Sequence, residues 1–105
     1  MALQIPHDIH EPFPGEFEAC VLVSNELGLH ARPAALVAQT AQKYAAQVSL
    51  HASDQQVDAK SILDILSLAA AKGTMLTIRS RGSDAKECVT AIAGLVRTQF
   101  EEGAP

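Results

Sequence analysis

Hydrophobic and polar positions follow two different periods along the chain. Apolar side chains at every second position are typical of strands with one buried face, whereas a three-to-four-residue period is typical of amphipathic helices. The predicted strands are residues 17–24, 48–52, 55–59 and 75–80. The predicted helices are residues 31–44, 61–72 and 84–100. The resulting element order is βαββαβα.

This order favours an α+β open-faced sandwich, in which a four-stranded antiparallel sheet carries three helices on one face. The other face of the sheet would meet solvent. Its outward positions are Gln47, Ser49, His51, Gln56, Asp58, Thr77 and Arg79. The expected core positions of the first two helices are Val37, Thr40, Ala41, Tyr44, Ile62, Ile65 and Leu68. Ser61 and Ser83 are the expected N-caps of the second and third helices.

Residues 1–15 are separated from the rest of the chain by their composition. They contain Pro6, Pro12 and Pro14 and end at Gly15, which excludes a helix and favours extended or mobile chain. His7 and His10 would present two imidazoles together only on a helix, so we interpret them as solvated. We therefore divide the chain into a flexible extension, 1–15, and one domain, 16–105. The extension is expected to be dispensable for the fold and for activity.

Composition limits the classes of function. The chain has 105 residues and a net charge of −4, which disfavours binding to nucleic acid or to an anionic membrane surface. No apolar run reaches the roughly 20 residues of a membrane span, and no export signal is recognisable. Cys20 and Cys88 lack the spacing of a metal or redox motif, so we interpret both as reduced, buried thiols. A monomeric cytoplasmic protein without metal or cofactor is expected.

The chemistry is concentrated in the segment Gly28-Leu29-His30-Ala31-Arg32-Pro33-Ala34-Ala35. A histidine follows a glycine turn and precedes the first turn of a helix, where backbone N–H groups lack partners and the dipole favours anions. An imidazole there, with the guanidinium of Arg32 nearby, suits a phosphoryl group held on His30 itself. The alternatives are a helix-capping histidine and a solvated arginine.

Three segments together resemble the HPr family of phosphocarriers from the bacterial phosphoenolpyruvate-dependent phosphotransferase system. The segment Gly28 to Ala34 resembles the phosphohistidine signature of that family. Lys60-Ser61-Ile62-Leu63 resembles its second signature, around a regulatory serine, and Ala71-Lys72-Gly73-Thr74 resembles the segment before its last strand. The likeness covers about residues 17–100. Gln39, Gln42 and Asp64 depart from patterns common in the family, which leaves the choice of partner open.

The resemblance implies a role for each of these residues. His30 would accept a phosphoryl group from phosphoenzyme I through Nδ1 and pass it to a histidine of an enzyme IIA-type acceptor, with no independent turnover of a small molecule. Ala31, Arg32 and Ala34 would bind the phosphate. Ser61, besides capping a helix, would be a substrate for an HPr kinase/phosphorylase, and the product could act on a transcriptional regulator.

The leucines of the first two helices suggest where partners bind. Leu36, Leu63 and Leu66 fall off the expected core faces, which indicates an exposed docking patch near His30; the alternative is a second helix buried on all sides. Three further functions remain open at this stage. The protein could serve a nitrogen-related phosphotransferase chain rather than sugar transport, or act as a regulatory adaptor through phosphorylated Ser61. It could also be a small-ligand-binding α+β domain without phosphotransfer, which only analogy of fold supports.

Overall fold

A computed structural model of the chain describes residues 9–98 and residue 100. The strands are β1 (Ile9–Phe13), β2 (Glu16–Leu22), β3 (Gln47–Ala52), β4 (Gln55–Asp58) and β5 (Met75–Arg81). The helices are α1 (Ala31–Gln42), α2 (Ile62–Leu68) and α3 (Ala85–Arg97). The strands form one sheet in the order β1-β2-β5-β3-β4, and all neighbouring strands are antiparallel.

The core lies between the sheet and the helices. Alternation along the strands directs Ala19, Val21, Leu50, Leu76 and Ile78 inward, where all are buried. The helices add Val37, Ala41, Ile65, Leu68, Cys88, Val89, Ile92 and Val96 to the same apolar cluster. The predicted open-faced sandwich is therefore confirmed.

Three expected core positions on the helices are less buried than the helical spacing predicts. Thr40 and Tyr44 of the α1 region are only half-buried. Ile62, expected to face the sheet, is 40% exposed. Ile62 is the first residue of α2, and we attribute its exposure to this position at the end of the helix.

The outward face of the sheet is polar at the predicted positions, which are exposed or half-buried. Arg79 Nε lies 2.9 Å from Glu18 Oε2 across the β2–β5 pair. Partial burial lowers the pKa of His51 on the same face, and the positive charge of Arg79 lowers it further. Cys20 also lies on this face and is exposed, so the expectation that it is buried is wrong, while Cys88 is buried as expected. Cys20 occupies an outward position of the β2 alternation, and periodicity outweighs the usual burial of cysteine.

The sheet has five strands rather than the four predicted. The additional strand, β1, lies within the segment interpreted as a flexible extension, and it pairs Ile9 with Ala19 and His10 with Glu18. Proline is tolerated there because β1 is an edge strand, in which one side needs no backbone donors. Residues 1–8, including His7, lie outside the described residues.

The second helix ends earlier than predicted, at Leu68 instead of residue 72. Ala69 takes a left-handed conformation with φ 54°, and its N–H donates to the Leu66 carbonyl. The following segment is held by the rest of the fold, because Gly73 donates to the Val23 carbonyl over 2.7 Å. Tertiary hydrogen bonds thus hold this segment in place of the last helical turn, which was predicted to end at Lys72-Gly73.

The N-cap position of the third helix is occupied by Asp84 rather than by Ser83, and its side chain makes no capping hydrogen bond with the helix. The Asp84 carboxylate accepts hydrogen bonds from the N–H groups of Ala45 and Ala46, each at 2.9 Å. Both bonds lower the pKa of the Asp84 carboxyl, and the bond from Ala45 has the larger effect. The carboxylate therefore joins the start of α3 to the connection between α1 and β3.

Candidate phosphoryl site and its surroundings

His30 is the N-cap residue of α1. Its backbone is extended (φ −85°, ψ −165°), and its side chain forms no capping hydrogen bond with the helix. The residue is exposed. The imidazole is therefore not used to cap the helix, and the residue is open to solvent.

The loop before His30 is fixed from both sides. The Asn25 side chain donates to the Gly28 carbonyl over 2.8 Å, which closes the turn. The buried residue Leu29 donates its N–H to the Ala70 carbonyl over 2.9 Å. His30 thus follows a backbone segment that is hydrogen-bonded to the loop after α2, and its orientation does not depend on the mobility of a free loop.

Gly28 is required by this arrangement for two reasons. Its φ of +65° lies in the left-handed region, which a residue with a Cβ seldom adopts. In addition, a Cβ atom at this position would lie 2.4 Å from the Ala70 carbonyl oxygen and 2.9 Å from the Ala71 Cα. The two loops approach each other so closely that only glycine fits between them.

The N–H groups at the start of α1 differ in their partners. Ala34 donates its N–H to the His30 carbonyl over 2.9 Å, so this group already has a partner within the helix, and its role in binding phosphate stays a prediction. Pro33 has no N–H. The N–H groups of Ala31 and Arg32 precede the first intrahelical bond and remain available.

Arg32 is exposed at the second position of α1. Within residues 9–98, none of the ion pairs involves its guanidinium. A cation at the N-terminus of a helix opposes the helix dipole. An incoming anion would remove that unfavourable interaction as well as pair with the side chain.

The second helix runs back along the first. Its start is attached to the end of α1, since Gln42 Nε2 donates to the Lys60 carbonyl and Lys60 Nζ donates to the Tyr44 carbonyl, each over 2.8 Å. Its far end leads to Ala70, beside the loop that carries His30. Ser61 and His30 therefore lie toward opposite ends of α1, which has 12 residues and is about 18 Å long.

Ser61 is the N-cap of α2, as predicted. Its Oγ accepts the N–H of Asp64 over 3.1 Å, and the residue is half-buried. Ser67, one turn further along, donates its hydroxyl to the Asp64 carbonyl over 2.6 Å. The hydroxyl of Ser61 thus has a structural role before any modification is considered.

The predicted docking leucines differ in exposure. Leu63 is 78% exposed and Leu66 37% exposed, so α2 is not buried on all sides. Leu36, in contrast, is only half-buried and packs against the core, so the expectation that it is substantially exposed is wrong. Leu36 lies at the border of the apolar stripe of α1, where the direction of the side chain decides whether it is exposed or packs against the core.

Leu27 is an exposed apolar side chain that the sequence analysis missed. It is 73% exposed and lies three residues before His30. The sequence did contain a signal for this exposure, because Leu27 lies between Glu26 and Gly28 in a short turn. Short turns run over the protein surface, so an apolar side chain there is expected to be exposed.

The fold and the site define the class of the protein: a small open-faced sandwich that presents an exposed histidine at a helix N-terminus. The family model described as "PTS HPr component phosphorylation site" matches residues 17–98. The chain belongs to the HPr family of phosphocarriers of the phosphotransferase system. Among the described residues, no helix has both the length and the apolar character needed to cross a membrane.

Individual relatives agree with the family match. The phosphocarrier protein HPr of Cupriavidus necator is 40% identical over 81 residues, which are 77% of this chain and 91% of that protein. A crystal structure of HPr from Bacillus anthracis superposes with a TM-score of 0.74 at 43% identity, covering 77% of this chain and 96% of that one. An HPr-C-His structure from Thermoanaerobacter tengcongensis gives a TM-score of 0.76 at 37% identity, with 79% and 93% coverage.

The contact between Gly28 and Ala70 generates a stability prediction. Gly28→Ala should destabilise the protein by the left-handed strain, about 1–2 kcal/mol, and by a further ~1–3 kcal/mol for overpacking against the facing backbone. Gly15→Ala is the matched control, since Gly15 has φ +80° and nothing within 4 Å of an added Cβ. Urea denaturation measures both variants. Equal losses would show that the loops can separate without cost.

Proposed function

We propose that His30 accepts a phosphoryl group from phosphoenzyme I and passes it to a histidine of an enzyme IIA-type acceptor. The observation that carries this proposal is the exposed imidazole of His30 at the N-terminus of α1, free of any capping hydrogen bond. Family membership supports the direction of transfer. We further propose that residues 16–105 are the unit that performs it, in the cytoplasm, and that residues 1–15 take no part.

The reaction needs a neutral imidazole on His30, because the attacking nitrogen must offer a lone pair. That pair forms a new P–N bond at Nδ1 while the P–N bond to the histidine of phosphoenzyme I breaks, and its electron pair returns to the donor imidazole. The second transfer repeats the exchange, with His30 as the leaving group. No water enters either step, and the phosphoryl group moves between two similar nitrogens.

The first turn of α1 supplies the stabilisation of the phosphoryl charge. The N–H groups of Ala31 and Arg32 and the positive end of the helix dipole favour an anion at His30. The guanidinium of Arg32 can reach an oxygen of the phosphoryl group and neutralise part of its charge. Pro33 holds φ near −65° at the third position and so stiffens the turn that presents these donors.

Partner binding, in this proposal, uses the exposed side of α2. The side chains of Leu63 and Leu66 are the exposed apolar surface of α2. Leu36 packs against the core and contributes only the part of its side chain that remains exposed. A carrier must bind both donor and acceptor and then dissociate, which suits a small apolar patch of this kind.

Phosphorylation of Ser61 by an HPr kinase/phosphorylase is the proposed control of docking. A phosphate on Ser61 would stand at the start of α2, where the helix dipole accepts it without unfolding. The distance along α1 exceeds the Debye length of about 8 Å at physiological salt, so the direct field at His30 would be weak. Its effect would come instead from charge placed two residues from Leu63, in the docking patch.

A labelling experiment tests the site of phosphorylation. With phosphoenolpyruvate, enzyme I and Mg²⁺, the chain should gain one acid-labile, base-stable phosphoryl group, and His30→Ala should gain none. His51→Ala, which removes a histidine on the opposite face of the sheet, is the control and should be labelled fully. Full labelling of His30→Ala would overturn the proposal.

Arg32 can be tested in the same assay. Arg32→Ala removes a charge-assisted contact worth about 1.5–3 kcal/mol, which should slow transfer roughly 10- to 150-fold while leaving the melting temperature unchanged. Arg32→Lys keeps the charge and should recover part of the rate. An unchanged rate for Arg32→Ala would reduce Arg32 to a surface charge.

The docking patch predicts a separation of binding from stability. Leu63→Ala and Leu66→Ala should both raise the KM for the carrier in the enzyme I reaction. Leu63→Ala should change stability by less than about 1 kcal/mol, because little buried area is lost at a side chain that is 78% exposed, whereas Leu66→Ala should cost more, because that side chain is only 37% exposed. Two controls are available. Leu68→Ala removes a buried side chain and should cost about 2–5 kcal/mol. Leu22→Ala removes an exposed leucine from the sheet face and should leave the KM unchanged. Wild-type KM values for both α2 variants would exclude the patch.

The structural role of Ser61 and its proposed regulatory role can be tested separately. Ser61→Ala should lose about 1 kcal/mol of stability with its cap, yet transfer phosphate at the normal rate. A protein carrying phosphoserine at position 61, made by semisynthesis, should react more slowly with enzyme I through a raised KM. Ser61→Asp keeps a capping oxygen and adds one charge, so an intermediate KM is expected. A phosphoserine protein with normal kinetics would remove the regulatory role.

A further inference from the structure

The peptide unit that joins Gly28 to Leu29 is hydrogen-bonded at both of its ends. Its carbonyl oxygen, on Gly28, accepts from Asn25 Nδ2 over 2.8 Å. Its N–H, on Leu29, donates to the Ala70 carbonyl over 2.9 Å. Because the peptide unit is planar, bonds to its two opposite polar groups together fix its rotation. The next peptide unit along the chain already contains the backbone nitrogen of His30.

Gly28 makes such a restraint necessary. Its positive φ and its close approach to Ala70 exclude a side chain at this position. The same lack of a Cβ atom gives glycine more backbone freedom than any other residue. A peptide unit that follows a glycine can therefore rotate unless hydrogen bonds hold it. The residue that the contact between the two loops requires is thus also the point at which the segment leading to His30 is most easily twisted.

Asn25 bonds both polar backbone groups of Gly28. The carbonyl of Asn25 accepts the Gly28 N–H over 3.1 Å, which closes the turn through the main chain. The Nδ2 group of the same residue then returns to the Gly28 carbonyl. The first of these bonds is open to any residue at position 25, because it uses only the backbone. The second needs a side-chain donor of the length that asparagine provides.

The amide of Asn25 is not arranged for the greatest stability. Its Oδ1 is buried and, within the part of the chain that the structure describes, has no hydrogen-bond partner. A buried acceptor without a partner destabilises a fold. The amide cannot reverse to relieve this, because Oδ1 would then face the Gly28 carbonyl oxygen, and both oxygens only accept. The bond from Nδ2 to Gly28 therefore holds the side chain in an otherwise unfavourable place, which is a feature expected of functional positions.

We propose that Asn25 is a positioning residue for His30, which holds the Gly28–Leu29 peptide unit in the orientation that presents the imidazole at the start of α1. It acts through the backbone and not by contact with the phosphoryl group. This inference rests on the proposed function, because the reaction that Asn25 supports is phosphoryl transfer at His30. Small errors in the placement of a reacting group slow a reaction strongly, so Asn25 should affect kcat rather than partner binding.

The test compares kcat, KM and melting temperature for variants of the full chain in the enzyme I reaction. Asn25→Ala should lower kcat roughly 10- to 100-fold and leave KM unchanged. Its melting temperature should stay close to that of the wild type, because the lost bond and the removed unpaired oxygen have opposite effects on stability. Val89→Ala is the converse control. It removes part of a buried side chain of α3, so it should lower the melting temperature and leave kcat unchanged.

A second control lies in the same loop as Asn25. Glu26 Oε2 lies 2.7 Å from Lys72 Nζ, so this ion pair also connects the loop before His30 to the loop after α2. Both side chains are largely exposed, and such pairs contribute little. Glu26→Gln should therefore keep the wild-type kcat. A loss of kcat equal to that of Asn25→Ala would show that any loosening of the loop slows transfer, and would contradict a specific role for Asn25.

Hydrogen exchange of the Leu29 amide measures the restraint in the absence of enzyme I. Its protection should fall roughly tenfold in Asn25→Ala, because the peptide unit is then bonded at one end only. The protection should stay at the wild-type level in Glu26→Gln. The Ile78 amide, in the middle of β5, is the internal reference and should be equally protected in all these proteins. Equal protection of the Leu29 amide in Asn25→Ala would show that the peptide unit is held without Asn25.

The outcomes separate this inference from the proposed function. If the wild-type chain is labelled on His30 and Asn25→Ala keeps the wild-type kcat, the positioning role is wrong and the proposed function stands. If the wild-type chain is not labelled on His30, both are wrong. A raised KM at unchanged kcat would assign Asn25 to partner binding and would also overturn the inference.

A second variant covers the case in which Asn25→Ala does not fold. Asn25→Asp keeps the size of the side chain and replaces the donor with an oxygen, so it should show the same losses in kcat and in protection of the Leu29 amide. Failure of both variants to fold would show that Asn25 is needed for the fold itself. That result would contradict the proposal, which expects stability to be nearly unchanged.

Discussion

The close contact between the loop before His30 and the loop after α2 is the constraint on which the site depends. Gly28 takes a left-handed conformation with no room for a Cβ against Ala70, and the adjoining Leu29 N–H is bonded to the Ala70 carbonyl. The same Ala70 segment follows the left-handed end of α2 at Ala69. One contact therefore joins the backbone that leads to His30 to the segment that directly follows the end of α2.

The structure places the proposed reactive group and the proposed docking residues at different positions along α1. The imidazole, the free N–H donors and the guanidinium of Arg32 lie at the N-terminal end of α1, where the dipole favours an anion. Ser61 lies at the other end, held there by the bonds between Lys60 and the end of α1. Leu63 and Leu66 lie on the helix between these two ends. In the proposed function, a charge change at Ser61 would therefore alter partner binding while the chemistry at His30 stays intact.

Most of the fold was predictable because strand alternation and helical period are local properties. The βαββαβα order, the buried positions of β2, β3 and β5, and the N-cap role of Ser61 all follow from neighbouring residues. The errors arise where distant contacts decide. α2 ends at Leu68 because its next segment bonds to the loop before His30, and β1 forms because β2 offers it an open edge.

The site shows the same division. Its proposed location at His30 follows from the motif, but the bond from the Ala34 N–H to the His30 carbonyl and the partial burial of Leu36 depend on hydrogen bonding and side-chain direction within α1. Asp84 likewise stands at the N-cap position of α3 in place of Ser83, and its carboxylate bonds two N–H groups of the α1–β3 connection instead of the helix. No pattern within residues 83–87 indicates that need.

The central claim is that His30 alone carries the phosphoryl group, on Nδ1. Phosphorus and nitrogen NMR of the ¹⁵N-labelled chain, recorded during turnover of phosphoenolpyruvate by enzyme I, tests it directly. Of the four histidines in the chain, only the ring of His30 should show coupling between ³¹P and ¹⁵N, and that coupling should be at Nδ1. Coupling to another histidine, or a phosphorylated chain whose His30 ring is unchanged, would contradict the account.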